Sequence, residues 1–107
     1  AQGIVGSEIE RDDHSVEPTN PFDIMPILTR RLPLEIRSRP RPTMVSFLLY
    51  LDEAAQPTSC RLSTLPYDRD YERRTCRSLL SNAQFRFKAG EEARPTWFKY
   101  WFIQQPS

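Results

Sequence analysis

A chain of 107 residues with a formal net charge of +1 is the size of a single domain. Its near-neutral balance excludes the broad basic face that nucleic acid attracts, and its longest apolar run is far short of the roughly 20 residues that cross a bilayer as a helix. One histidine, two cysteines and three glycines leave no ligand set for a zinc site and no glycine-rich phosphate loop.

The charge is unevenly spread. The first 29 residues hold six acids (Glu8, Glu10, Asp12, Asp13, Glu17, Asp23) against one base, Arg11, and large apolar residues are thin before Phe22. Such a segment buries too little to offset its ordering entropy. Residues 1–23 are therefore expected to form a disordered acidic tail and residues 24–107 the folded domain. The opening "AQG" has the pattern left after signal-peptide cleavage. Within the tail, "RDDH" (residues 11–14) offers cation ligands, but adjacent acids in a flexible segment are ordinarily solvated polar sequence.

A short helix is expected over about residues 26–32, with Pro26 in its first turn and Pro33 stopping it. The stretch "RRLPLEIRSRPRP" (residues 30–42) is a basic arm, with Arg30, Arg31, Arg37, Arg39 and Arg41 against Glu35. It either meets an anionic partner or is a solvated linker facing the chain's own acids; without interleaved aromatics it does not read as nucleic-acid binding. Its prolines make "SRPRPT" extended.

The clearest strand is "TMVSFLLYLD" (residues 43–52). Val45, Phe47, Leu49 and Leu51 point one way and Met44, Leu48 and Tyr50 the other, as in a strand that is central or covered on both sides. After the turn "EAAQP", "TSCRLSTL" returns with Cys60, Leu62 and Thr64 on one face. Asp68 is the expected N-cap of a helix running to about Leu80, with Asp70 and Glu72 in its first turn. Its inner stripe is Tyr71, Thr75, Cys76, Leu79 and Leu80. "QFRFKA" is a short strand and "GEEARP" a turn. The last strand, "TWFKYWFIQ" (residues 96–104), sets Trp97, Trp101 and Ile103 on one side and Phe98, Tyr100 and Phe102 on the other, with Lys99 between them.

Cys60 on a strand and Cys76 on the helix stripe facing that sheet are placed for a structural disulfide; two buried free thiols are the alternative. Closing a loop of this size contributes about 3 kcal/mol in the chain-entropy model. A disulfide implies an oxidising compartment.

The run from Val45 to Phe102 resembles the C-terminal domain of TonB-type energy transducers. The resemblance is carried by "VSFLLYLDEAAQPTSCRL" as a first hairpin, the separation of Cys60 and Cys76, Tyr71-Glu72 where the family has Leu-Asp, "FRFKA" for its "F-x-F-x-P-A" segment, and "ARPT" for its "G-x-P-V" turn. The chain departs from the family in "LPY" (residues 65–67) for "S-S-G", Lys88 for a proline, and Ala93 for a glycine. The resemblance implies a periplasmic protein whose terminal strand lies at or near a sheet edge, where the family captures an extended segment of an outer-membrane transporter by strand addition.

The sequence thus leads to an α+β fold: a small, three-stranded, mostly antiparallel sheet with one main helix packed on one face, TonB C-terminal-like, behind a disordered tail. The expected function is protein interaction rather than catalysis, through Trp97, Phe98, Lys99, Tyr100, Trp101 and Phe102, with an envelope protein or a second copy as partner. No cofactor, metal, nucleic acid or small-molecule substrate is implied. The same aromatics equally suit a strand that covers the helix on one face and the tail or a second copy on the other. A free-standing periplasmic scaffold, or a small secreted enzyme inhibitor using the arginine arm, is the other expectation.

Overall fold

A computed structural model describes residues 3–9 as backbone, and residues 15–64 and 67–106 in full. The cation-ligand candidates at residues 11–14, the opening Ala1-Gln2, and the Leu65-Pro66 turn lie outside the described residues.

The nine elements in chain order are β1 (Gly3–Ile9), β2 (Val16–Pro18), α1 (Pro21–Thr29), α2 (Leu34–Arg37), β3 (Thr43–Leu51), β4 (Pro57–Leu62), α3 (Arg69–Asn82), β5 (Phe85–Phe87) and β6 (Thr96–Gln104). Strands β4, β3 and β6 form the expected three-stranded antiparallel sheet with β3 in the centre, and α3 packs on one face of it. Strand β1 adds antiparallel to the far side of β6, so the full order is β1-β6-β3-β4. A second, two-stranded sheet pairs β2 with β5.

Alternation places one face of the central strands in the core. Val45, Phe47, Leu49 and Leu51 of β3 join Phe98, Tyr100 and Phe102 of β6, Leu62 of β4, and Tyr71, Cys76 and Leu79 of α3 in one buried cluster. The Tyr71 ring meets Phe47 edge-on at 5.4 Å, and its hydroxyl donates to the Leu28 carbonyl at 2.6 Å, which ties α3 to α1. Burial pushes the Tyr71 phenol pKa well above its ordinary value. Asp68 caps α3 as expected, its carboxylate accepting from the Tyr71 amide at 2.8 Å. Leu80, expected on the inner stripe, is instead 37% exposed at the rim.

Three expectations are corrected. Helix α1 starts at Pro21 rather than near Pro26: Pro21 takes the first-turn position, Asp23 suits the N-terminal dipole, and Ile24 and Leu28 fall one above the other into the core. Pro26 sits inside the helix and forgoes its amide bond to the Phe22 carbonyl. Past Pro33 the chain makes one further turn of helix, α2, which buries Ile36.

The boundary expected between residues 23 and 24 falls within α1, and residues 15–23 belong to the fold. Val16 is fully buried in the core cluster. Asn20 bridges to the end of α3, donating to the Asn82 carbonyl at 2.7 Å and accepting from the Gln84 amide at 3.0 Å. Amide-to-carbonyl bonds from Thr19 to Gln84 and from Lys88 to Ser15 extend the β2–β5 pairing. Residues 3–9, also expected to be disordered, form β1.

Candidate functional site: the outer edge of β6

Strand β6 shows a strict period of two. Thr96, Phe98, Tyr100, Phe102 and Gln104 are buried, while Trp97 is exposed and Lys99, Trp101 and Ile103 are half-buried. The period separates the six residues expected to contact a partner. Phe98, Tyr100 and Phe102 are core residues; Phe98 lies 4.9 Å from the Phe85 ring and 5.1 Å from Tyr100. They are committed to holding β6 in register, and what they can offer a ligand is their backbone. Trp97, Lys99 and Trp101 occupy the opposite face.

That opposite face carries no helix residue of the core cluster. It presents Met44, Leu48 and Tyr50 of β3 beside Trp97, Lys99, Trp101 and Ile103 of β6. Tyr50 and Trp97 pair edge-on at 4.8 Å. Leu48 is nevertheless nearly buried by its strand neighbours, and Ser46 is buried where the chain after β4 folds back, its hydroxyl 2.7 Å from that of Ser63. Covering of β3 on both sides, expected from its apolar residues, is therefore by helices on one face and by neighbouring strand residues on the other.

Two buried polar atoms on β6, the Tyr100 hydroxyl and the Trp101 indole nitrogen, have no hydrogen-bond partner among the described residues. Burial raises the Tyr100 phenol pKa well above its ordinary value, so it stays protonated at physiological pH. Neither atom has a base, nucleophile or charge beside it that would make a reaction centre.

Within the trio β4-β3-β6, β6 is the end strand, and its outward amides and carbonyls are a template for another strand. The position is taken by the chain's own β1 over seven residue pairs, from Gly3 opposite Gln104 to Ile9 opposite Phe98. Sequence reasoning missed β1 because "GIVGSEI" has two glycines in seven residues and sits in an acidic segment. The signal available was its matching to β6 across a separation of about ninety residues, which no local pattern reports.

The opposite edge is closed differently. Cys60 of β4 is disulfide-bonded to Cys76 of α3, with Cα atoms 5.5 Å apart. Glu72 of α3 accepts from the Leu62 amide at 2.9 Å through one carboxylate oxygen and from the Tyr67 hydroxyl through the other. That hydrogen bond raises the Tyr67 pKa.

The basic arm is partly folded onto its own chain. The Arg37 Nε donates to the Leu32 carbonyl at 3.0 Å and the Arg39 Nε to the Glu35 carbonyl at 3.3 Å, while the Arg31 carbonyl accepts from Arg74 at 2.9 Å. The structure does not gather Arg30, Arg31, Arg37, Arg39 and Arg41 with the β6 aromatics into one site. Among the described residues no three His, Cys, Asp or Glu side chains come together as a metal site, and no helix is long and apolar enough to cross a membrane.

No protein-family model, no curated protein and no solved structure matches the chain.

Proposed function

We propose that this is a non-catalytic interaction module of the bacterial envelope, resembling the TonB C-terminal domain, that captures an extended segment of a partner protein along β6. The observation that carries this reading is the β1–β6 ladder: the outer edge of β6 accepts an extended segment that no tight hairpin forces onto it. Main-chain bonds supply the affinity in such a capture, and side chains flanking the edge select the sequence. Trp97, Lys99 and Trp101 flank it on the open face. The disulfide is in keeping with an oxidising compartment such as the periplasm.

The test is titration of the full chain with extended peptides taken from the periplasm-facing segments of outer-membrane transporters, followed by amide NMR. Shifts concentrated in Thr96–Gln104, weakened by Trp101→Ala in a chain that still folds, are the expected result. Binding with shifts confined to the arginine arm would overturn the assignment of the site and favour the arm as the contact. Concentration-dependent shifts of β6 without peptide would identify a second copy as the partner.

A further inference from the structure

We infer that β1 is a built-in competitor for the β6 edge, and that the segment it keeps out is an extended peptide of the pattern apolar–apolar–small–any–acidic–apolar laid antiparallel to β6. The inference rests on the reading of β6 as a capture edge and specifies both the ligand and its control.

The register supplies the pattern. Ile4 stands opposite Ile103, Val5 opposite Phe102, Gly6 opposite Trp101, Ser7 opposite Tyr100, Glu8 opposite Lys99 and Ile9 opposite Phe98. Apolar positions thus meet apolar ones, the acid meets the base, and the smallest residue meets the largest. Directly opposed pairs are the unit of sheet stabilisation, each contributing some tenths of a kcal/mol up to about 1 kcal/mol. A one-residue slip in either direction would take Glu8 away from Lys99 and set it opposite Phe98 or Tyr100, so the match fixes one register.

The same strand is built to yield. It is paired on one side only. Gly3 and Gly6 weaken a strand by their backbone entropy. Nothing among the described residues staples it as the disulfide staples β4. Being tethered, it competes at an effective concentration on the order of millimolar. A free peptide therefore binds with an apparent affinity reduced by the fraction of molecules whose edge is open. A partner with stronger strand formers at the two glycine positions would displace it.

The experiment uses the full chain and a fluorescein-labelled heptapeptide, GIVGSEI, followed by anisotropy. Val5→Pro/Gly6→Pro disables β1: alternate residues of a strand turn their amides to the neighbour, so two adjacent prolines remove a ladder donor whichever residue supplies it. The expected result is a native-like circular dichroism spectrum and peptide binding about tenfold tighter or more than by the unsubstituted chain. A milder variant, Glu8→Lys, sets like charges opposite one another and should give a smaller gain in the same direction. The peptide GIVGSKI should bind the double-proline chain more weakly than GIVGSEI.

Equal, measurable binding by the unsubstituted and double-proline chains would overturn the competitor role and leave the capture edge standing. Absence of binding by a folded double-proline chain would overturn both. Unfolding of the double-proline chain would also overturn the competitor role, since a competitor must be dispensable to the fold. Equal binding of GIVGSEI and GIVGSKI would remove the acidic position from the pattern.

Discussion

The two outermost strands of the sheet, β4 and β1, are held in different ways. Strand β4 follows β3 through a short turn in which the Asp52 carboxylate accepts from the Ala54 and Gln56 amides, each at 2.9 Å. It is then bonded covalently to α3 through Cys60 and Cys76, and its last amide is taken by Glu72. Strand β1 arrives from the far end of the sequence and is held by a ladder to β6. An edge with local, covalent and side-chain fastenings is closed, whereas an edge covered only by a remote strand can exchange. The comparison places interaction at β6 rather than β4, for reasons of how the cover is attached rather than of which residues are exposed.

The largest expected effect comes from cutting the covalent fastening. Cys60→Ser should lower unfolding stability by about 2–4 kcal/mol, read from denaturant midpoints, and leave Cys76 reactive to thiol reagents. Two titratable thiols in the unreduced, unsubstituted chain would show that β4 is not held covalently. If the comparison is right, this substitution should loosen β4 and α3 in hydrogen exchange while leaving the β1–β6 amides at their former, lower protection.

A second effect probes the core that both edges share. Tyr71 and Tyr100 are buried and have raised phenol pKa values, so the folded chain keeps protons that the unfolded chain loses above about pH 10. Their stabilising contribution is complete below that pH and is lost as pH rises towards the folded-state values. Each should cost about 1.4 kcal/mol per pH unit above pH 10. Urea midpoints at pH 9 and pH 11 check this, and Tyr100→Phe should halve the slope. A flat profile would mean that neither hydroxyl is buried in solution.

The elements legible in the sequence are those whose signal is local. Strands β3 and β6 announce themselves by alternation, α3 by Asp68 and the Tyr71–Thr75–Leu79 spacing, and the Cys60–Cys76 bridge by the placement of strand and helix on either side of it. Helix α1 was displaced because Pro21 and Pro26 both fit a first turn, and the choice was made by which register buries Ile24 and Leu28. Strand β2 was unreadable: three residues, one of them Pro18, paired with Phe85–Phe87 far along the chain. Strand β1 was unreadable for the same reason, so the site was legible as a strand and its occupant was not. The aromatic run in β6 suggested six contact residues, but the sheet's period of two had already committed half of them to the core.

The smallest expected effect sharpens the contrast between the two acidic stretches at the start of the chain. Removing residues 1–9 takes away β1, whose pairing is one-sided, and should lower stability by under about 1 kcal/mol once the two glycines' entropy is regained by the unfolded chain. Extending the deletion to residue 20 takes away Val16 from the core and Asn20 from the end of α3. Losing a fully buried valine alone costs about 1.5–3 kcal/mol of burial. The lost Asn20 hydrogen bonds add about 1 kcal/mol each. Thermal melts of the two shortened chains should therefore differ far more from each other than the shorter deletion differs from the full chain. Equal losses in both would mean that β1 is a permanent strand of the sheet, held as firmly as β4.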